Sequence, residues 1–309
     1  MKTTLIILLT LSLALAFGYS TTPVLAGFDD ESDLFEAGFV ESCTQEALEA
    51  LEQGAGIVLP EPVPVLLLTV AEAKTRRRAY ADSLGDQVGL TAAMDSMADL
   101  MFADNMLGRY LPDEKVVYVI EDVLLRYSGG DPDLAAEKLF PVLAHELVHA
   151  YDHQVYDCVP APEDLEELMA DPSALPEMQT QMSLIEGRAT YASELACLAR
   201  GVTPLRAFSV EQAMNYEMIS SDGTLAGDIA AGMGNTVLRL KMVQYAQGRI
   251  FAKQVHDFGG EKFFRHVFDG LPLSMVELED FNVFLVRWAE EQEAALDGEL
   301  QEDDTLDET

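Results

Sequence analysis

One pentapeptide of the 309-residue chain carries its strongest chemical signal: His145-Glu146-Leu147-Val148-His149. On a helix the two histidines stand at i and i+4, about 6 Å apart along the axis and on one face, so both imidazoles can reach a single Zn²⁺ at about 2 Å. Glu146 is turned about 100° from His145, where its carboxylate can hold a zinc-activated water and take its proton as a general base. Leu147 and Val148 then face the core.

A catalytic zinc uses three protein ligands and keeps a fourth position open, so the pair needs a partner from elsewhere. His153 continues the same face at i+8 but lies about 12 Å from His145 along the axis, too far to share one ion. It reads as a helix-face residue or a group supporting the site. Glu186, in Leu184-Ile185-Glu186-Gly187-Arg188-Ala189, is the candidate third ligand. It stands near the start of the next long helix, and Gly187, Ala189 and Ala192 would let that helix pack closely against the histidine helix. Asp152, three residues after His149, could orient an imidazole through its second ring nitrogen. A structural zinc site would need no Glu146 and would close its fourth position with another ligand; the sequence offers no obvious one nearby.

The elements that must position these groups are mostly helical. Asp131 can cap a helix with Pro132 in its first turn, running through His145 to about His153 or Tyr156. A Pro- and acid-rich connection over 159–176 leads to a second long helix over 177–199, ending at Gly201. Further helices are expected over 34–53, 71–83, 90–107, 210–219, 235–257, 261–268 and 281–295. Strands are expected within 57–70 and over 115–120, where β-branched residues follow Pro or Asp. The class is α+β, predominantly α-helical, and no internal repeat or linker divides the chain. On the helix over 235–257, Tyr245, Gly248, Arg249 and His256 share a stripe, because i+3, i+4 and i+11 return to one face.

The histidine motif with Ala150 and Gln154, then Glu186-Gly187-x-Ala189, Tyr245-x-x-Gly248-x-x-Phe251, Gly259-Gly260 and Leu271-Pro272-x-Ser274, resembles a set of bacterial gluzincin-type metallopeptidases over residues 134–278. The resemblance implies Zn²⁺ at His145, His149 and Glu186, and a zincin-like core with an edge strand beside the cleft. Residues 116–120 would be that strand, pairing with an extended peptide by strand addition. Gluzincins commonly stabilise the oxyanion with a Tyr or His from a later helix, which makes Tyr245 and His256 the candidates here. The chain departs from the pattern at His153, where an acid is usual, and at Leu278-Glu279-Asp280-Phe281, where a His-Pro pair is usual. An alternative is therefore a zincin-like protein using the zinc site for structure or peptide binding.

Residues 1–26 have the form of a secretory signal: Lys2, an apolar run over 5–17 and Val24-Leu25-Ala26 before the expected cleavage. Export, to the periplasm or beyond the cell, is expected, with no stable membrane insertion after cleavage. The expected catalytic domain spans 27–297, with an α/β part over 27–130 and a helical part over 131–297, and an acidic disordered tail over 298–309. With 19 Lys and Arg against 54 Asp and Glu and a net charge of −35, the chain lacks the basic footprint that nucleic acid requires. A peptide or protein is the expected partner. Cys43, Cys158 and Cys197 allow at most one internal disulfide and have no nucleophile context, so a structural role is expected.

Overall fold

The computed structural model describes residues 35, 37–83, 107–158, 175–205, 210–214 and 225–306. The expected leader, the helix over 90–107 except its last residue and most of the connection over 159–176 lie outside the described residues. In chain order the elements are α1 (Ala37–Ala55), β1 (Val65–Leu68), α2 (Val70–Ser83), β2 (Gly108–Leu111), β3 (Val116–Ile120), α3 (Glu121–Tyr127), α4 (Pro132–Tyr156) and α5 (Leu175–Arg200), followed by α6 (Val210–Met214), α7 (Leu225–Gly259), α8 (Glu261–Asp269), α9 (Met275–Glu279) and α10 (Phe281–Leu306). The described chain is thus mostly helical with one small sheet.

That sheet has the order β1-β3-β2. β1 runs parallel to β3 in the register Val65↔Val117 to Leu68↔Ile120, and β2 runs antiparallel with Gly108↔Val119 and Leu111↔Val116. β3 is therefore the central strand, which corrects the expectation that 116–120 forms the edge. Its sequence Val-Val-Tyr-Val-Ile has no polar alternation, and all five residues are buried, as a strand covered on both faces and paired on both sides requires. The edge next to the histidine helix is β2, whose four residues carry too little pattern to be read as a strand. α3 was likewise not expected.

The capping of α4 follows its sequence. The Asp131 side chain accepts hydrogen bonds from the backbone N–H groups of Asp133 and Leu134 at 3.0 and 3.2 Å, and Pro132 occupies the first turn. Such a cap is worth about 1 kcal/mol. The helix ends at Asp157 in a left-handed conformation. At its far end the Gln154 side chain clamps the backbone of Glu61, donating to the carbonyl at 3.2 Å and accepting from the N–H at 3.0 Å.

Two apolar clusters share α5. The first joins α1, the sheet, α4 and the Ala189–Ala192–Ala196 face of α5. The second joins Leu184, Ile185 and Tyr191 of α5 to the phenylalanines of α7, α8 and α10. Each fully buried Leu- or Phe-sized side chain contributes about 1.5–3 kcal/mol, so α5 is anchored on both faces. Ala189 and Ala192 do pack toward α4. Gly187 serves a different neighbour: it meets Gly248 of α7, and a Cβ on either glycine would overlap the other helix's backbone. α10 continues to Leu306, past the expected end at Ala295, through Glu, Gln, Leu and Asp residues of the acidic segment expected to be disordered. Glu, Gln and Leu are good helix formers, and the helix carries them on.

Candidate metal centre

α4 and α5 bring His145, His149 and Glu186 together. His145 Nε2 lies 3.1 Å from His149 Nε2, and Glu186 Oε2 lies 3.3 Å from the first and 3.5 Å from the second. Donors each about 2.0–2.2 Å from one ion at a tetrahedral angle stand about 3.3–3.5 Å apart, so this triangle fits a single small divalent cation. Glu186 Oε2 is moreover buried without a hydrogen-bond partner, a state that a ligand atom is suited to and a merely structural carboxylate is not. These three residues could hold a metal ion. His153 is elsewhere, its Nδ1 2.8 Å from the Tyr110 hydroxyl on β2.

Glu146 sits on the β2 side of the pair. The backbone N–H of Tyr110 donates to its Oε2 at 2.8 Å. That approach depends on Gly108, where a Cβ would come within 2.7 Å of Val142 and 3.1 Å of Glu146. Burial pushes the Glu146 carboxyl up to about 7, with Glu186 adding to the rise while His145, the Tyr110 N–H and Arg109 oppose it. Among the protein groups alone, this carboxyl therefore exchanges its proton near neutrality.

Glu186 is treated in the opposite way. Burial would raise it, but Lys241 and then the two imidazoles outweigh that and hold its carboxyl well below the ordinary range. Lys241 Nζ donates to Oε1 at 2.6 Å, and both side chains are buried. Burial draws the Lys241 ammonium down to about 8 against the pull of Glu186 and Glu146. Sequence reasoning missed this lysine. The signal was present, since Lys241, Tyr245 and Gly248 stand at i, i+4 and i+7 and Lys241 falls among Leu240, Met242 and Val243.

The α7 stripe divides. Tyr245 reaches the cluster, its ring 5.8 Å from that of His145. His256 does not: three turns along α7, about 16 Å from Tyr245 by helical rise, it packs edge-on against Tyr191. The shared face returned at i+11, but the displacement along the axis carried it away. Arg249 on the same stripe pairs with Glu194 at 2.6 Å.

Asp152 orients no imidazole. It is fully buried and ion-paired with Arg188 of α5, whose guanidinium also donates to Glu261 Oε1 of α8 at 2.5 Å. The rings of Phe264, Tyr156, Tyr151 and Phe268 surround that guanidinium at 4.6–5.6 Å. Removing either partner of such a pair would strand a buried charge, at a cost of about 3–5 kcal/mol. The knot therefore fixes α4 and α5 a few residues beyond the His149 and Glu186 that they contribute to the cluster. Cys43, Cys158 and Cys197 are all unpaired and buried, so no disulfide joins them. Burial pushes the Cys43 and Cys197 thiols up to about 12 and raises Cys158 further.

No protein-family model matches the chain, and no curated protein matches it. A solved structure from Chloroflexus aurantiacus, described as a candidate hydrolase with a novel fold, is similar in fold: TM-score 0.52, 18% identity, spanning 91% of this chain and 97% of that one. At that identity the likeness is one of architecture. No helix among the described residues is long and apolar enough to cross a membrane.

Proposed function

We propose that the chain is an exported zinc-dependent peptidase of the gluzincin type. The observation that carries this reading is the triangle of His145, His149 and Glu186 with Glu146, raised to about 7, directly beside it. Two imidazoles and one carboxylate with an open fourth position form a donor set that suits catalytic zinc, and the absence of a further protein donor in the cluster among the described residues favours chemistry over a closed structural site. The description of the Chloroflexus aurantiacus neighbour as a candidate hydrolase is compatible with it.

Zinc at these ligands would supply Lewis acidity to a peptide carbonyl and acidity to a water. Glu146 then accepts the water's proton as the oxygen adds to the carbonyl carbon, and returns it to the amine nitrogen as the C–N bond breaks. Tyr245, whose ring stands against that of His145, would be the donor to the oxyanion. The outer edge of β2, rather than β3, is the strand edge beside Glu146 to which an extended peptide would add. Export rests on the leader-like residues 1–26. The test is metal analysis of the purified protein together with digestion of a peptide library with and without a chelator. Chelator-sensitive cleavage and about one zinc per chain are expected for a three-ligand site. A protein that carries no zinc, or cleavage indifferent to the chelator, would exclude the reading.

A further inference from the structure

Glu186 divides its two oxygens between partners of different kinds. Oε2 faces both imidazoles, at 3.3 and 3.5 Å, while Oε1 accepts a hydrogen bond from Lys241 at 2.6 Å. Neither side chain has room to leave: Glu186 is 0% and Lys241 1% exposed. The ammonium is further held 4.7 Å from the Tyr245 ring centroid. Its backbone is fixed by the Gly187–Gly248 crossing of α5 and α7, one and a half to two turns further along.

A carboxylate can bind a cation through one oxygen or through both. In the second mode the cation would have to share Oε1 with a buried ammonium fixed 2.6 Å from that oxygen, and the repulsion between the two positive charges opposes it. A chain that needed only a third ligand would be served by an apolar residue at 241, without the cost of desolvating a lysine. The choice of lysine at this point constrains how the carboxylate is presented.

We propose that Lys241 is a positioning residue that occupies Oε1 of Glu186 and so restricts this carboxylate to a single ligand atom, leaving the remaining position of the site free for water and substrate. The inference rests on the metal reading above and deepens it. Lys241 touches neither substrate nor ion in this role; it acts through Glu186.

Cobalt(II) in place of zinc reports its coordination by visible absorption, which is strong at four-coordinate sites and several-fold weaker once a fifth ligand atom enters. Cobalt-loaded wild-type protein is expected to absorb strongly, and Lys241→Met several-fold more weakly because both oxygens of Glu186 become available. Identical spectra for the two proteins overturn the role of Lys241 while the metal site stands. Failure of the wild type to take up cobalt overturns both. Should Lys241→Met not fold, a crystal structure of the zinc-loaded wild type decides the matter: one Glu186 oxygen on zinc with Nζ still on the other supports the assignment, and both oxygens on zinc refute it.

Discussion

The two sides of the histidine pair treat the same chemical group in opposite ways. Glu146 and Glu186 are both buried carboxylates beside the same imidazoles. On the α5–α7 side Lys241 keeps Glu186 ionised, and on the β2 side His145, the Tyr110 N–H and Arg109 do not outweigh burial and the charge of Glu186, so that the Glu146 carboxyl rises to about 7. Burial is common to both; the partner decides. A carboxylate binds a cation in its ionised form, whereas a base has to give and take a proton near neutrality, and the two environments suit the two tasks proposed above.

The contrast breaks most visibly when one side is deleted. Glu186→Ala is expected to take zinc from about one per chain to near none, while His153→Ala leaves occupancy almost intact, as atomic absorption on dialysed protein would show. Zinc retained by the first variant would mean that the α5 side supplies no ligand. Glu146→Gln should keep the zinc and lose turnover by about 10²–10⁴-fold, since an amide cannot accept the proton; kcat equal to wild type on the same peptide removes Glu146 from the chemistry.

Smaller effects sharpen the division. Tyr245→Phe should lower kcat by about 10²-fold with zinc retained, as expected for one lost oxyanion donor, whereas His256→Phe leaves kcat unchanged. The reverse ranking would move the donor along α7. In the metal-free protein the two acids should also give stability dependences of opposite sign. Glu146 is raised in the folded state, so its contribution is full below about 4.5 and is lost as the pH climbs through about 7. Glu186 is depressed, so its contribution is present above about 4.5 and is lost as the pH falls below that value. Thermal unfolding of wild type, Glu146→Gln and Glu186→Gln with chelator, between about pH 3 and 8, should show the first substitution flattening the neutral decline and the second the acid one. A common effect of both substitutions in the same pH window contradicts the assignment.

The histidine pair of the cluster was legible because it obeys a local rule. The i, i+4 spacing of His145 and His149 fixes their separation wherever the helix lies, and the exclusion of His153 follows from the same rise. Glu186 was legible as an acid flanked by Leu184 and Ile185 on the next long helix. What escaped was set by contacts distant in sequence. Lys241 lies 55 residues from Glu186, and Arg188 is 73 from Glu261; a lone lysine or arginine on a helix gives no sign of which partner it will meet. β3 read correctly as a strand, but its place in the middle depended on β1, about fifty residues earlier in the register Val65↔Val117, and on a four-residue β2. Asp152 had a plausible local target and found a stronger one across the helix interface. His256 had the right face at the wrong height.

The three thiols carry a consequence for following the protein in motion. A buried thiol with its ionisation pushed up to about 12 or beyond reacts with an alkylating reagent at neutral pH only in molecules that have opened around it. Cys43 and Cys197 belong to the cluster of α1, the sheet and α4, and Cys158 belongs to the cluster of α7, α8 and α10. The native chain thus contains its own pair of clocks, and the separate labelling rates of these cysteines would time the opening of each half of the structure on either side of α5.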